Sequence, residues 1–279
     1  MNYEEPITTF QELLKIATAE DWKCEKLLPV SHIPRSSALT AINKDKLLVP
    51  SKNNKHYINE ELLFFYYGLA KFKPKSIEDL GNDPNPPMVF IFNIQQLLDE
   101  KNQKIKATRI LPFDSGAFDM YKFEEGYTPR HFEFEMPQDE DILKLVVILF
   151  TNTENYLSNK HHFEKVKDTF YLIPKINKLY NMYEAVTKTR AKPDRRAKTF
   201  EIHFSGQVQL KPELILFPNS YITSPTGEQQ LENQYPGIKR LPYMNESEPD
   251  SNLMRINDAL SAYLEEKKKE MEENNKTVL

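Results

Sequence analysis

Apolar positions change their period several times along the chain, and each change predicts an element. Phe10, Leu13, Leu14, Ile16 and Ala17 recur at helical spacing behind Thr8 and Thr9, which predicts a capped helix over 10–19. Residues 25–32 read as a strand, placed at an edge by Pro29 and closed by Pro34. A short helix is expected over 35–44. Within 60–70, the stretch Leu62-Leu63-Phe64-Phe65-Tyr66-Tyr67 is apolar on every side, so it is a buried helix or a buried strand, and periodicity does not separate the two. Met88-Val89-Phe90-Ile91-Phe92 and Leu214-Ile215-Leu216-Phe217-Pro218 have the β-branched and aromatic content of interior strands. A short helix is expected over 94–99 and a strand over 108–111, the latter stopped by Pro112. Charged and aromatic residues alternate over 128–135, as in a half-exposed strand. A helix fits 138–157, with Asp139, Glu140 and Asp141 at its N-terminal end, where the helix dipole favours acids. More helix is expected within 163–185, and another strand over 199–204.

Two stretches read as irregular: a basic, exposed loop over 188–198 and a proline-rich segment over 225–249. From 252 onward Met254, Ile256, Ala259, Leu260 and Leu264 form the apolar stripe of a terminal helix that turns fully charged after 265. The expected fold is α+β, a mixed, mainly antiparallel sheet core with short helices and a C-terminal helix. No internal repeat is present. The composition changes most sharply near 250, giving one domain over 1–250 and a helical tail over 251–279, with a split near 136 as the alternative.

Composition narrows the function classes. All seven glycines stand more than four residues from one another, so the clustered glycines of a dinucleotide-binding or P-loop motif are missing. Cys24 is the one cysteine, which excludes an intrachain disulfide and a Cys-rich zinc site and suits a reducing compartment. A net charge of −4 provides no global field for a phosphate backbone. The acidic N-terminus lacks an apolar core segment, and the apolar run 145–150 is too short to cross a bilayer, so a cytoplasmic protein with no membrane partner is expected.

Four segments could carry chemistry. Ser31-His32-Ile33-Pro34-Arg35-Ser36 follows a strand, where a rigid scaffold can hold a histidine and an arginine, although both residue types are also ordinary in loops. Tyr66 and Tyr67 could stack on a flat ligand or pack in the core, and Gly68 would allow a close approach. Asp114 in Asp114-Ser115-Gly116 is a turn residue bonding its own backbone or an active-site carboxylate. If Phe200, Ile202 and Phe204 face a core, Glu201 and His203 share the opposite face; that face is a solvated strand surface or a site. No metal ligands are expected from the adjacent His161 and His162, which diverge on a helix. Asp114, Glu133 and Glu135 would be the carboxylates of a divalent-metal nuclease.

The chain order His32, then Tyr66 or Tyr67, then Glu201 resembles the His-Tyr-Glu pattern of the diphtheria-toxin and PARP branch of the ADP-ribosyltransferases. The segment 32–42 followed by Leu47-Leu48 is similar to the opening of the DarT-type DNA ADP-ribosyltransferases, with Ile33-Pro34 where many families of this branch have Gly or Thr. The resemblance covers about 25–220 as an order of features. It implies NAD as substrate and a toxin or defence effector that modifies nucleic acid or protein. His32 would hold the nicotinamide ribose with Arg35 and Ser36 beside it, a tyrosine of the pair would stack on nicotinamide, and Glu201 would steady the oxocarbenium-like centre. Glu201 and Tyr67 are thus the candidate catalytic residues, and His32, Arg35, Ser36 and Tyr66 the candidate NAD-binding ones. Two other readings compete: a non-enzymatic module docking a protein partner through its C-terminal helix or the loop 188–198, and the nuclease.

Overall fold

Among the described residues of the computed structural model, ten strands form: β1 Val30–His32, β2 Leu47–Leu48, β3 Leu63–Tyr67, β4 Val89–Phe92, β5 Lys106–Leu111, β6 Phe134–Glu135, β7 Glu201–Ser205, β8 Val208–Gln209, β9 Leu214–Pro218 and β10 Lys239–Tyr243. The structure describes residues 11–34, 36–52, 55–71, 87–98, 106–118, 126–135, 138–162, 166, 174–188, 195–222, 225–246 and 249–277. The fold is α+β with mixed, mainly antiparallel pairing and a C-terminal helix.

The chain divides into two interleaved units, the first of residues 1–29, 49–68 and 94–208, the second of 30–48, 69–93 and 209–279. This differs from the expected boundary near 250 and from a split near 136, because each unit takes its strands from distant parts of the sequence.

In the first unit the strands run in the order β3-β7-β5-β6, all neighbours antiparallel. The apolar stretch before Gly68 is a strand, and its burial alternates residue by residue. Leu63, Phe65 and Tyr67 lie on one face, with Ile202 and Phe204 of β7 and Ile110 of β5 in register beside them. Gly68 ends the strand at φ +65, and a side chain there would meet Leu28 Cδ1 at 2.4 Å. The close approach that glycine permits is to the chain's own Leu28 rather than to a ligand.

The expected strand over 128–135 begins instead as a 3-10 turn, Pro129–Phe132, because Pro129 has no N–H for a ladder. The expected helix over 138–157 is two, Asp139–Phe150 and Thr153–Leu157, broken at Thr151, whose φ is 73. Asn152 caps the second, its side chain accepting from Asn155 N–H at 2.8 Å.

In the second unit the order is β10-β9-β4-β1, antiparallel except for the parallel β9/β10 pair. β4 and β9 are buried along their whole length, as their unbroken apolar sequences require. The segment 225–249 is not irregular: it holds the helix Pro225–Gln234 and β10.

The C-terminal helix, Pro249–Thr277, belongs to this core. Ile256, Leu260 and Tyr263 pack with Val89, Ile91, Leu214 and Leu216. Asn257 accepts from Ala70 N–H at 3.0 Å and donates to Ala70 C=O at 3.1 Å, satisfying both backbone groups of one residue. The apolar stripe expected to dock a partner is therefore used internally; Met254 stays 48% exposed, but Leu260 is buried. Among the described residues no helix is long and apolar enough to cross a membrane.

Candidate functional site

A strand alternates its side chains, so the apolar Ile202 and Phe204 send Glu201 and His203 to the other face of β7. Register sets their neighbours. Tyr66 lies across from Glu201 and Phe64 across from His203 on β3, while Leu111 and Arg109 flank them on β5. Thr108 sits at a bulge in β5, its hydroxyl donating to His203 C=O at 3.1 Å. This second face is not solvated: Glu201 is 1% exposed and His203 is 0% exposed.

Burying an ionisable pair this deeply is costly unless neighbours answer its polar atoms. His203 Nε2 stands 2.6 Å from Glu201 Oε1. Burial, and then Arg109, push the imidazole down to about 3, so it is neutral. Burial pushes the Glu201 carboxyl up to about 7, against the hydrogen bonds from Ser115 and Asp114 that favour the charged form. The Ser115 N–H donates to Oε2 at 3.3 Å. Asp114 is fixed in turn, since Oδ1 accepts the Gly116 N–H at 2.7 Å and Oδ2 lies 3.8 Å from Arg196 Nη1. Asp114 thus bonds its own turn and also borders Glu201.

Tyr66 completes the group. Its hydroxyl is pushed well up, first by burial and then by the Asp114 and Glu201 carboxyls. Asp114, Ser115, Arg196, Glu201 and His203 are all buried, whereas Tyr66 keeps some exposed surface and Gly116 is exposed. The cluster therefore comes to the surface at Tyr66 and Gly116.

A charged layer lies behind His203. Arg109 bonds Glu60 at 2.5 Å and Glu133 at 3.3 Å, Arg130 bonds Glu60 at 2.5 Å, and both guanidiniums lie 5.2 Å from the Tyr57 ring centre. Burial pushes Glu60 up, but the two arginines prevail and hold it below its ordinary value.

Of the segment expected to be an exposed basic loop, 189–194 lies outside the described residues. Lys188 ends the helix Pro174–Lys188, and Arg195–Lys198 is a 3-10 turn whose Arg196 and Lys198 are buried. They go inside because partners wait there. Arg196 meets Asp114, and Lys198 Nζ is 2.8 Å from His161 Nδ1, whose Nε2 is 3.1 Å from Glu184 Oε1.

The candidate residues divide accordingly. Glu201 and Tyr66 share a face. Tyr67 points into the apolar face, where its hydroxyl accepts from Leu28 N–H at 3.0 Å and its ring stacks on Phe200 at 6.2 Å. Tyr67 is a core residue, because adjacent strand positions cannot share a face. His32 ends β1 opposite Phe90, in the second unit, and Ser36 begins the helix Ser36–Asp45 there. Arg35 lies outside the described residues. The three nuclease carboxylates are occupied separately, Asp114 by Gly116 and Glu133 by Arg109, with Glu135 exposed on β6. Among the described residues no three His, Cys, Asp or Glu side chains gather as metal ligands.

The sequence places His203 on the Glu201 face and Ser115 in the Asp114 turn, but gives neither of them, nor Arg196, a part in holding Glu201. The two-residue spacing to Glu201 and the Asp-Ser-Gly turn were the only local signals for them. No protein-family model, curated protein or solved structure matches the chain.

Proposed function

We propose that this chain is an NAD-dependent ADP-ribosyltransferase-like enzyme with Glu201 as its reacting carboxyl and Tyr66 as the ring that stacks on nicotinamide. The observation that carries this reading is the cross-strand pair itself: Tyr66 stands in register with Glu201, on the same face. A ring and a carboxyl fixed that way suit a reaction in which a flat leaving group departs from a carbon that becomes positive.

The chemistry asks for an ionised carboxyl at the moment the bond between nicotinamide nitrogen and ribose C1′ breaks. Glu201, raised to about 7 by burial, holds its proton part of the time. The nicotinamide ring of NAD is cationic, and an opposite charge alongside favours the carboxylate. Substrate entry would thus release the proton, and the carboxylate would steady the oxocarbenium-like carbon. The acceptor hydroxyl or amine then bonds to C1′ and gives up its proton to a base. Asp114 and the Ser115 amide hold Glu201 for this.

The test is nicotinamide release by the full chain incubated with NAD, with single-stranded DNA and mixed proteins as acceptors, at pH values above and below about 7. Release should rise through that pH, and Glu201→Gln should lower it by about a hundredfold or more. Absence of NAD turnover in the wild-type chain, or an unchanged rate in Glu201→Gln, removes this reading.

A further inference from the structure

His203 is buried with unequal surroundings at its two ring nitrogens. Nε2 lies 2.6 Å from Glu201 Oε1, while Nδ1 has no hydrogen-bond partner among the described residues. Tyr57 and Phe64 pack edge-on against the ring from two directions, each with its ring centre 4.7 Å away, and a ring turned over would give up the Nε2 contact with Glu201.

A neutral imidazole carries one N–H and one bare nitrogen. With the proton on Nδ1, a buried N–H would have nothing to accept it, and a bare Nε2 would face a carboxylate oxygen, lone pair against lone pair. A protonated Glu201 could relieve the second problem but not the first. With the proton on Nε2, the only loss is an unused lone pair on Nδ1, the cheaper of the two defects.

We infer that His203 is a positioning residue held as the Nε2–H tautomer: it donates to Glu201 Oε1 and so leaves Oε2, beside the Ser115 amide, as the oxygen that gives and takes the reactive proton. This role rests on the reading of Glu201 as the reacting carboxyl. The charged groups acting on the imidazole are Arg109, Glu133, Glu60 and Arg130. Those bordering Glu201 are Asp114 directly and Arg196 through Asp114. Arg109 beside the ring discourages a second ring proton, which keeps His203 a single donor rather than a competing acid. Oε1 is thereby removed from proton exchange, and the carboxyl acts through one oxygen with one orientation.

The tautomer is read directly by nitrogen NMR of the His203 ring in the wild-type chain, with Nε2 expected protonated and Nδ1 bare. The positioning role is read by carbon NMR titration of Glu201 in two variants. His203→Gln sets an amide N–H near the place of Nε2–H and should leave the Glu201 midpoint where it was. His203→Phe keeps a ring but has no donor, and should raise the midpoint by about one pH unit, since a hydrogen bond to the charged form is lost. A protonated Nδ1 in the wild type, or equal midpoints in the Phe and Gln variants, would overturn the inference. None of these readouts uses NAD. If NAD turnover is absent while the tautomer and midpoints come out as stated, the functional reading falls and what stands is the Nε2–H tautomer and its donation to Glu201 Oε1.

Discussion

Ile91 and Leu214 in the second unit and Glu201 and His203 in the first are buried alike, at 0%, 0%, 1% and 0% exposure. All four lie on sheet strands, yet their chemistry is opposite. In the second unit, burial removes hydrocarbon from water and is favourable in itself. Its buried Asn257 satisfies both backbone groups of Ala70. In the first unit, burial shifts a carboxyl to about 7 and an imidazole to about 3. Replacing such a pair by well-packed hydrophobic residues is often neutral or stabilising. Perturbed groups of this kind are enriched at functional sites, which is why the proposed reaction is centred on Glu201.

Four measurements can break or sharpen this contrast. The largest effect belongs to the apolar core: Leu260→Ala should lower the unfolding free energy by about 2–5 kcal/mol in denaturant titration. A value near zero would mean that the C-terminal helix is not part of the second unit's core.

Next comes pH. The raised folded pKa of Glu201 gives stability that is full below about 4.5 and is lost as pH climbs to about 7. The lowered folded pKa of His203 works the other way, with stability full above about 6.5 and lost as pH falls towards about 3. Between about 4.5 and 6.5 the two slopes oppose, so their joint contribution should be nearly flat there. Denaturant titrations across that window should show His203→Gln losing stability with rising pH, and Glu201→Gln gaining it, each by about 1.4 kcal/mol per pH unit relative to wild type. Parallel pH curves for the three proteins would mean that the buried pair is not shifted in the folded state.

Asn257→Ala follows, at about 1–3 kcal/mol, because it leaves the Ala70 N–H and C=O buried and unpaired. Smallest is Tyr67→Phe, at about 1 kcal/mol, from the loss of the acceptor for Leu28 N–H.

Much of the scaffold could be read without coordinates. β4, β9 and the helix Ile94–Leu98 declare themselves because a continuous apolar run bounded by prolines, or a short helical repeat, admits few other solutions. The stretch ending in Tyr66-Tyr67 does not, since a segment apolar at every position lacks the period that separates helix from strand. Only its alignment with β7 made it a strand and put Tyr66, not Tyr67, beside Glu201. The basic segment misled for a different reason. Charge is normally a good guide to exposure, but Arg196 and Lys198 find buried partners in Asp114 and His161, which come from remote parts of the chain.

The alternation Phe200, Glu201, Ile202, His203, Phe204 was enough by itself to place the carboxyl and the imidazole on one face, because side chains in a strand alternate by covalent geometry. What the tertiary structure alone decided is that this face is dry. Tyr57, Phe64, Asp114 and Ser115 arrive from separate segments to cover it. Burial, and with it the protonation of both groups, is set by those neighbours, and no local pattern around Glu201 encodes which residues they will be.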